Sequence, residues 1–341
     1  MGKGWRKGHA LLGLSLILLI AAAALYIGIG QVRQKAEETE KTYLAEAAVT
    51  AVPTPTIHAI GVTHDPALIT PVPNISSGSA GDSVRTVQSR LKELGYYQGE
   101  VDGGFGGETR LAVVLFQAQH GLSADGIAGP KTLEKLLSAD AHPIVTTDTL
   151  SGAKPLLVNA SHPVGKDFVP ADLVRLADVL PKGILLESAS MRGVREAAEA
   201  LGTMLAAAEK AGIGNWKVRE SWRTWQDQEN IFNNKVKEHR NAGLSEADAK
   251  NAARLTVADP GTSEHHTGLA FDLNVPGESF GDTANYAWLA EHCWEYGFIL
   301  RYTDEKEDVT GFLGEEWHYR YVGKEHSLKI RDLGICLEEY E

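Results

Sequence analysis

The chain has 341 residues, 43% of them hydrophobic and 23% charged, with a formal net charge of −12. That length predicts two folded units with connecting segments, and the apolar content is ample for a core. The acidic balance excludes a general nucleic-acid binder, and any binding to an anionic envelope must be specific rather than broadly electrostatic.

Lys3, Arg6 and Lys7 precede an uncharged apolar run from Ala10 to Ile29. About 20 such residues at ~1.5 Å each cross a hydrocarbon layer of ~30 Å. Basic residues before the run and Glu37, Glu38 and Glu40 after it place the amino end in the cytoplasm. A cleaved signal peptide is the alternative, with Leu11 to Ile20 as its apolar core and Ala22 to Ala24 as the cleavage site. The apolar run continues past those alanines through Leu25, Tyr26, Ile27 and Ile29, which favours an uncleaved single-pass anchor over residues 1–30. Both readings put the rest of the chain outside the cytoplasm, membrane-tethered in one and secreted in the other. Residues 31–79 begin charged and turn into Thr-, Pro-, Ser- and Gly-containing sequence with no apolar period. They read as a flexible linker, and a coil of about 50 residues spans roughly 40 Å.

Between residues 80 and 138 the chain repeats itself. Asp102-Gly103 to Thr109 and Asp125-Gly126 to Thr132 share the skeleton Asp-Gly-x-x-Gly-x-x-Thr, and each leads into a helical apolar pattern. Val84, Val87, Leu91 and Leu94 form an earlier amphipathic helix closed by Gly95. The spacing predicts a three-helix unit. These residues, with Val87-Gln88, Leu94-Gly95-Tyr96-Tyr97 and Phe116-Gln117, resemble the small helical peptidoglycan-binding domain found beside many cell-wall hydrolases. The resemblance implies peptidoglycan as a partner, with Tyr96, Tyr97 or Gln117 as candidate exposed groups of a binding groove.

A second linker is expected at 139–154, and a second domain at 155–341. Leu156 to Asn159 reads as a short strand, followed by a loop with His162, an isolated candidate ligand. A helix is predicted from Val194 to Lys210, and a strand from Val218 that gives way to a helix near Gln226. Between them, Trp222-Arg223-Thr224-Trp225 offers a guanidinium suited to a bidentate grip on a carboxylate, or to a structural ion pair. The stretch from Thr262 to Asp272 is the chemical centre. His265 lies in a loop, Gly268 permits a bend, and Leu269, Phe271 and Leu273 alternate with Asp272 on a strand. Adjacent residues on an extended chain point apart, so at most one of His265 and His266 joins a shared metal. Glu315 to Val322 reads as a last strand carrying His318, whose face-mate by strict alternation is Glu316. Glu315 qualifies only if the chain bends before the strand. Two His and one Asp suit zinc with a position left for water, and an adjacent acid takes the water's proton. Cys293 and Cys336 either pair or sit in the core.

Residues 155–323 resemble the VanY-type zinc D-alanyl-D-alanine carboxypeptidases. The resemblance rests on Leu157-Val158-Asn159 with His162-Pro163, Ser221 to Trp225 with Gln228, Pro260 to Asp272, Tyr296-Gly297-Phe298 with Arg301-Tyr302, and Glu315 with Trp317 to Gly323. It implies one Zn2+ held by His265, Asp272 and His318, Glu315 rather than Glu316 as the catalytic acid, and Arg223 and Ser263 as substrate-binding residues. Related sequences commonly carry Gln at the position of His266 and Pro at that of Glu316. The implied fold is α+β, a small antiparallel sheet flanked by helices. The implied activity removes the terminal D-alanine from peptidoglycan stems. An L,D-carboxypeptidase, a stem endopeptidase and a wall-binding protein with an inert zinc site are the alternatives.

Overall fold

A computed structural model of the protein describes residues 74–340. The expected anchor and nearly all of the first linker lie outside the described residues, among which no helix is long and apolar enough to cross a membrane. The described residues all belong to one compact unit.

The helical part consists of α1 (Asp82–Glu93), α2 (Gly107–Gln119) and α3 (Pro130–Leu137). Val84, Leu91, Val113, Phe116 and Leu136 are fully buried at its centre. The repeated Asp-Gly turns exist because a buried glutamine organises each one. The side-chain nitrogen of Gln88 donates to Asp102, the Gly104 carbonyl and Thr109 at 2.9, 3.0 and 3.0 Å, while its oxygen accepts the Gly103 N–H. Gln117 repeats this on Asp125, the Ile127 carbonyl, Thr132 and the Gly126 N–H. Gly103 and Gly126 hold φ of +79° and +74°, where any other residue is strained.

Three expectations are corrected here. Tyr96, Tyr97 and Gln117 are 4%, 6% and 1% exposed, so they are core and network groups rather than groove residues. Such a small unit needs its large aromatics for the core. The domain begins before residue 80, because Ile75 pairs with Ala128 and packs into its core. The 139–154 stretch is no free linker: the Ile144 N–H donates to the Leu94 carbonyl and the Ala171 N–H to the Thr147 carbonyl. Gln119 also donates to the carbonyls of Val145 and Asp167.

The second part is an α+β layer. Strands β1 (Leu173–Arg175) and β3 (Arg192–Val194) pair as a small antiparallel sheet. The main sheet has the order β2 (Leu185–Leu186), β4 (Lys217–Glu220), β5 (Ala270–Asn274), β7 (His318–Tyr321), β6 (Phe298–Leu300). All its pairings are antiparallel except that of β2 with β4, which corrects the expectation of a wholly antiparallel sheet. The long crossover between β2 and β4, which contains β3 and a helix, permits that parallel edge. Helix α4 (Arg195–Lys210) lays Ala197, Leu201, Met204, Leu205 and Ala208, all fully buried, against Trp216, Phe271, Leu273 and Phe298. Each large side chain withdrawn from water in this way contributes about 1.5–3 kcal/mol. A helical hairpin of α5 (Trp225–Asn241) and α6 (Glu246–Arg254) is capped at Thr224 and Ser245, which accept from Asp227 and Asp248 N–H groups. The remaining longer helices are α7 (Ala284–His292) and α8 (Lys324–Leu333).

Leu156 to Asn159 does not form a strand. Arg320 donates to the Leu156 carbonyl at 2.7 Å, taking a backbone acceptor that a ladder would have used. Both cysteines are buried free thiols, so the core alternative holds for Cys293 and Cys336.

Candidate metal centre and active site

The register of the sheet assembles the site. Asp272 on β5 is the direct cross-strand partner of His318 on β7 and of Glu220 on β4. Phe271 and Leu273 face the core, so the pleat turns Asp272 to the opposite side. His265 arrives from a 3₁₀ turn, Glu264–Thr267, that Ser263 caps by accepting the His265 N–H. Gly268 ends the turn at φ +69°, and a Cβ there would meet Leu173 at 3.0 Å and Val194 at 3.1 Å. The turn therefore needs glycine to fold His265 back over β5.

One ligand atom from each of His265, Asp272 and His318 lies within 4.8 Å of the others. His265 Nε2 is 3.3 Å and His318 Nδ1 3.0 Å from the same oxygen, Asp272 Oδ1. That buried oxygen makes no well-formed hydrogen bond, so three donors converge with no proton aligned between them. This is how a cation site is built. A tetrahedral ion with bonds of ~2.0–2.1 Å separates its ligands by roughly 3.3–3.4 Å, so the donor set fits zinc.

The outer contacts set the orientation of both rings. His265 Nδ1 donates to the Ser221 carbonyl at 2.7 Å, which leaves the lone pair on Nε2, the nitrogen facing Asp272. His318 turns Nε2 toward Glu264, 3.5 Å away, and Nδ1 toward Asp272. Glu264 was not singled out in the sequence as a site residue. It is 1% exposed and lies between Arg301 and Arg320, at 2.8 and 3.0 Å. Arg301 also binds Glu338 through two nitrogens, at 2.6 and 2.8 Å. A carboxylate within a run of site residues is the one signal that pointed to Glu264, and only the buried arginines show what it does.

Electrostatics follow from burial and neighbours. Burial, helped by the Arg223 charge, lowers His265 to about 4, against the opposing pull of Asp272. Burial also disfavours charge on His318, but the Asp272 and Glu264 carboxylates beside it outweigh that and raise the imidazole to about 9. Asp272 is desolvated, yet the two imidazoles hold its carboxyl well below the usual carboxylate range. Burial pushes Glu315 up to about 7, with Asp272 and Glu264 adding to the rise and His318 and Arg223 opposing it.

Glu315 precedes β7 instead of lying in it. The strand starts at His318, and a turn closed by the His318 N–H on the Glu315 carbonyl bends the chain. This corrects the expectation of a strand from Glu315 and removes the alternation that favoured Glu316. Glu315 Oε2 sits 3.6 Å from His318 Nδ1, whereas the Glu316 carboxylate lies against Gly281. The structure thus brings His265, Asp272, His318 and Glu315 together.

Arg223 stands beside them. Its N–H donates to the His265 carbonyl, Nη1 donates to Gln228 at 2.9 Å, and Glu220 lies 3.6 Å from Nε. Ser263 is buried and spends its acceptor on the turn, leaving its hydroxyl proton to donate. His266 points elsewhere: Nε2 accepts the Gly261 N–H at 3.1 Å, and Nδ1 donates to the Arg223 carbonyl at 3.0 Å. His162 is exposed, with Nδ1 3.1 Å from Asn159 Oδ1, and belongs to no metal cluster among the described residues.

An α+β layer that aims two imidazoles, a carboxylate and a second acid at one point defines a metallopeptidase-like centre. Residues 191–324 match the family described as VanY, D-alanyl-D-alanine carboxypeptidase, and residues 80–136 match the putative peptidoglycan binding domain. The bifunctional D-Ala-D-Ala dipeptidase and D-Ala-D-Ala carboxypeptidase VanXYC of Enterococcus gallinarum is 31% identical over 192 residues, 54% of this chain and 91% of that protein. The chain belongs to the VanY family of D-alanyl-D-alanine carboxypeptidases. A D-alanyl-D-alanine carboxypeptidase of Enterococcus faecalis is 46% identical over 123 residues, 36% of this chain. The chain spans about half, 46%, of that relative's length. A solved structure of the vancomycin resistance D,D-pentapeptidase VanY in complex with Zn(II) is 36% identical, covering 54% of this chain and 97% of that one, at a TM-score of 0.47.

Proposed function

We propose that the protein is a zinc-dependent D,D-carboxypeptidase that removes the terminal D-alanine from peptidoglycan stem peptides. The observation that carries this reading is the convergence of His265 Nε2, Asp272 Oδ1 and His318 Nδ1 beside Glu315, with Arg223 on the flank. His265, Asp272 and His318 would hold the ion. A bound zinc supplies Lewis acidity and lowers the pKa of a water from ~15.7 toward ~7. Glu315 accepts the proton of the attacking water and returns it to the leaving amine. Arg223 pairs with the terminal carboxylate and fixes the scissile bond in register, and Ser263 donates its hydroxyl to the substrate. Gln228 and the backbone contact to His265 keep the guanidinium pre-positioned for that task.

The match of residues 80–136 to a putative peptidoglycan binding domain supports the wall as the partner. Such a substrate lies outside the cytoplasm, which agrees with an anchored or exported chain. Fractionation that left the protein in the cytoplasm would remove that part of the reading. The activity itself is tested by mass spectrometry of pentapeptide and tetrapeptide stems incubated with the full chain. Loss of one alanine from the pentapeptide is expected, abolished by a chelator and lowered by about 10²–10⁴-fold in Glu315→Gln. Trimming of the tetrapeptide alone moves the enzyme to the L,D class. No trimming of either, with zinc bound, overturns the reading.

A further inference from the structure

Between the helical part and the peptidase part lies a cleft of about 760 Å³. Its walls come from both: Gln98 and Glu108 on one side, Arg175, Arg192 and Trp222 on the other, with Thr146 from the stretch that joins them. The volume falls within the range of about 300–1,000 Å³ typical of ligand sites.

The cleft is held open by its own side chains. Arg192, 7% exposed, reaches across to Gln98 at 3.1 Å and forms a close ion pair with Glu108. Arg110 and Asp227 make a second bridge, at 3.5 Å. The charges lining the cleft are largely spent on one another. Arg175 pairs with Asp178 at 2.9 Å and Arg195 with Asp172 at 3.1 Å. Lys92 and Glu100 add one charge of each sign. A neutral, polar cleft with a partly exposed tryptophan suits a neutral polar ligand. The arginines here are already paired and Lys92 is balanced by Glu100, so the lining leaves no net positive charge for an anionic peptide.

The cleft is also continuous with the catalytic strand. The Trp222 N–H donates to the Arg192 carbonyl at 3.0 Å. Trp222 sits between Ser221, whose carbonyl orients His265, and Arg223. Arg192 thus ties the helical part to the strand end that shapes the metal centre.

We infer that this cleft is a binding site for the uncharged N-acetylated glycan of the cell wall, built jointly by the two parts and absent from either alone. The inference rests on the wall-acting reading above. It places the glycan against the face shared by both parts, so that wall binding and catalysis are set in one fixed geometry.

The test uses the full chain and insoluble chitin, an uncharged polymer of an N-acetylated sugar, with co-sedimentation as the readout. In parallel, hydrolysis of a sugar-free pentapeptide reports on catalysis independently. Thr146→Trp and Arg175→Trp obstruct the cleft from exposed positions, one on the joining stretch and one on the peptidase wall. Each is expected to weaken glycan binding by roughly tenfold or more and to leave pentapeptide turnover within about twofold. Unchanged binding in both variants overturns the proposal, as does wild-type protein that fails to sediment with chitin. Absence of pentapeptide hydrolysis with glycan binding intact and cleft-dependent overturns the carboxypeptidase reading instead.

Discussion

At the scale of single residues, His266 shows how a neighbour of the metal ligands serves a different purpose. It bridges the Gly261 N–H and the Arg223 carbonyl, so it fixes the backbone from which Arg223 projects. A glutamine side chain also carries one donor and one acceptor, whereas leucine leaves both backbone groups unsatisfied, at about 1–3 kcal/mol each. His266→Gln is therefore expected to keep Tm and KM close to wild type. His266→Leu is expected to lower Tm and to raise KM more than it lowers kcat. Equal kinetics in the two variants would show that Arg223 does not depend on this bridge. Glu264 is the second case. It neutralises two buried arginines, and an amide cannot. Glu264→Gln leaves buried positive charge uncompensated and is expected to cost about 3–5 kcal/mol in denaturant unfolding. A loss below about 1 kcal/mol, the scale of a surface pair, would mean that Arg301 is satisfied by Glu338 alone.

At the scale of elements, the two Asp-Gly turns of the helical part depend on Gln88 and Gln117, each far in sequence from part of what it holds. Gln117→Leu keeps the side chain's bulk but strands Thr132, Asp125 and a backbone N–H. A loss of about 2–4 kcal/mol follows if one or two of these groups go unsatisfied. Calorimetry measures it, and an unchanged Tm would show that water replaces the glutamine without cost. Much of this level was legible in advance. The helix at Arg195–Lys210 follows from apolar spacing, as do the three helices and the placement of Asp272 on the strand face opposite Phe271. What spacing misjudged was the start of the last strand. Periodicity continues formally through Glu315, but the His318 N–H closes a turn on Glu315 and ends the extended backbone there. A period-2 pattern cannot report where a strand stops when its flanking residues happen to keep the alternation.

At the scale of the molecule, the metal donors come from two neighbouring strands and the turn before one of them, so an ion would staple β5 to β7 and to the 3₁₀ turn. Zinc at 1,000-fold above its dissociation constant stabilises the folded state by about 4.1 kcal/mol. Chelation is expected to lower Tm of the full chain by several degrees, and added zinc to restore it. His265→Ala should abolish that zinc-dependent shift. A Tm indifferent to chelator would exclude a resident ion at this site.

By itself the sequence determined the helical repeats, the α+β character and the candidate residues His265, Asp272, His318, Glu315, Arg223 and Ser263. Local periodicity and residue chemistry are written along the chain, and the resemblance to a known family supplied their roles. The tertiary structure alone decided the rest. It turned Tyr96, Tyr97 and Gln117 inward, drew the supposed linker at 139–154 into the packed body, and made one sheet edge parallel. It set Glu264 between Arg301 and Arg320 and opened a cleft between the two parts. Each of these depends on contacts between residues tens of positions apart. Such contacts follow from how apolar faces share a limited core volume and from which buried charges find partners, and no local pattern encodes either.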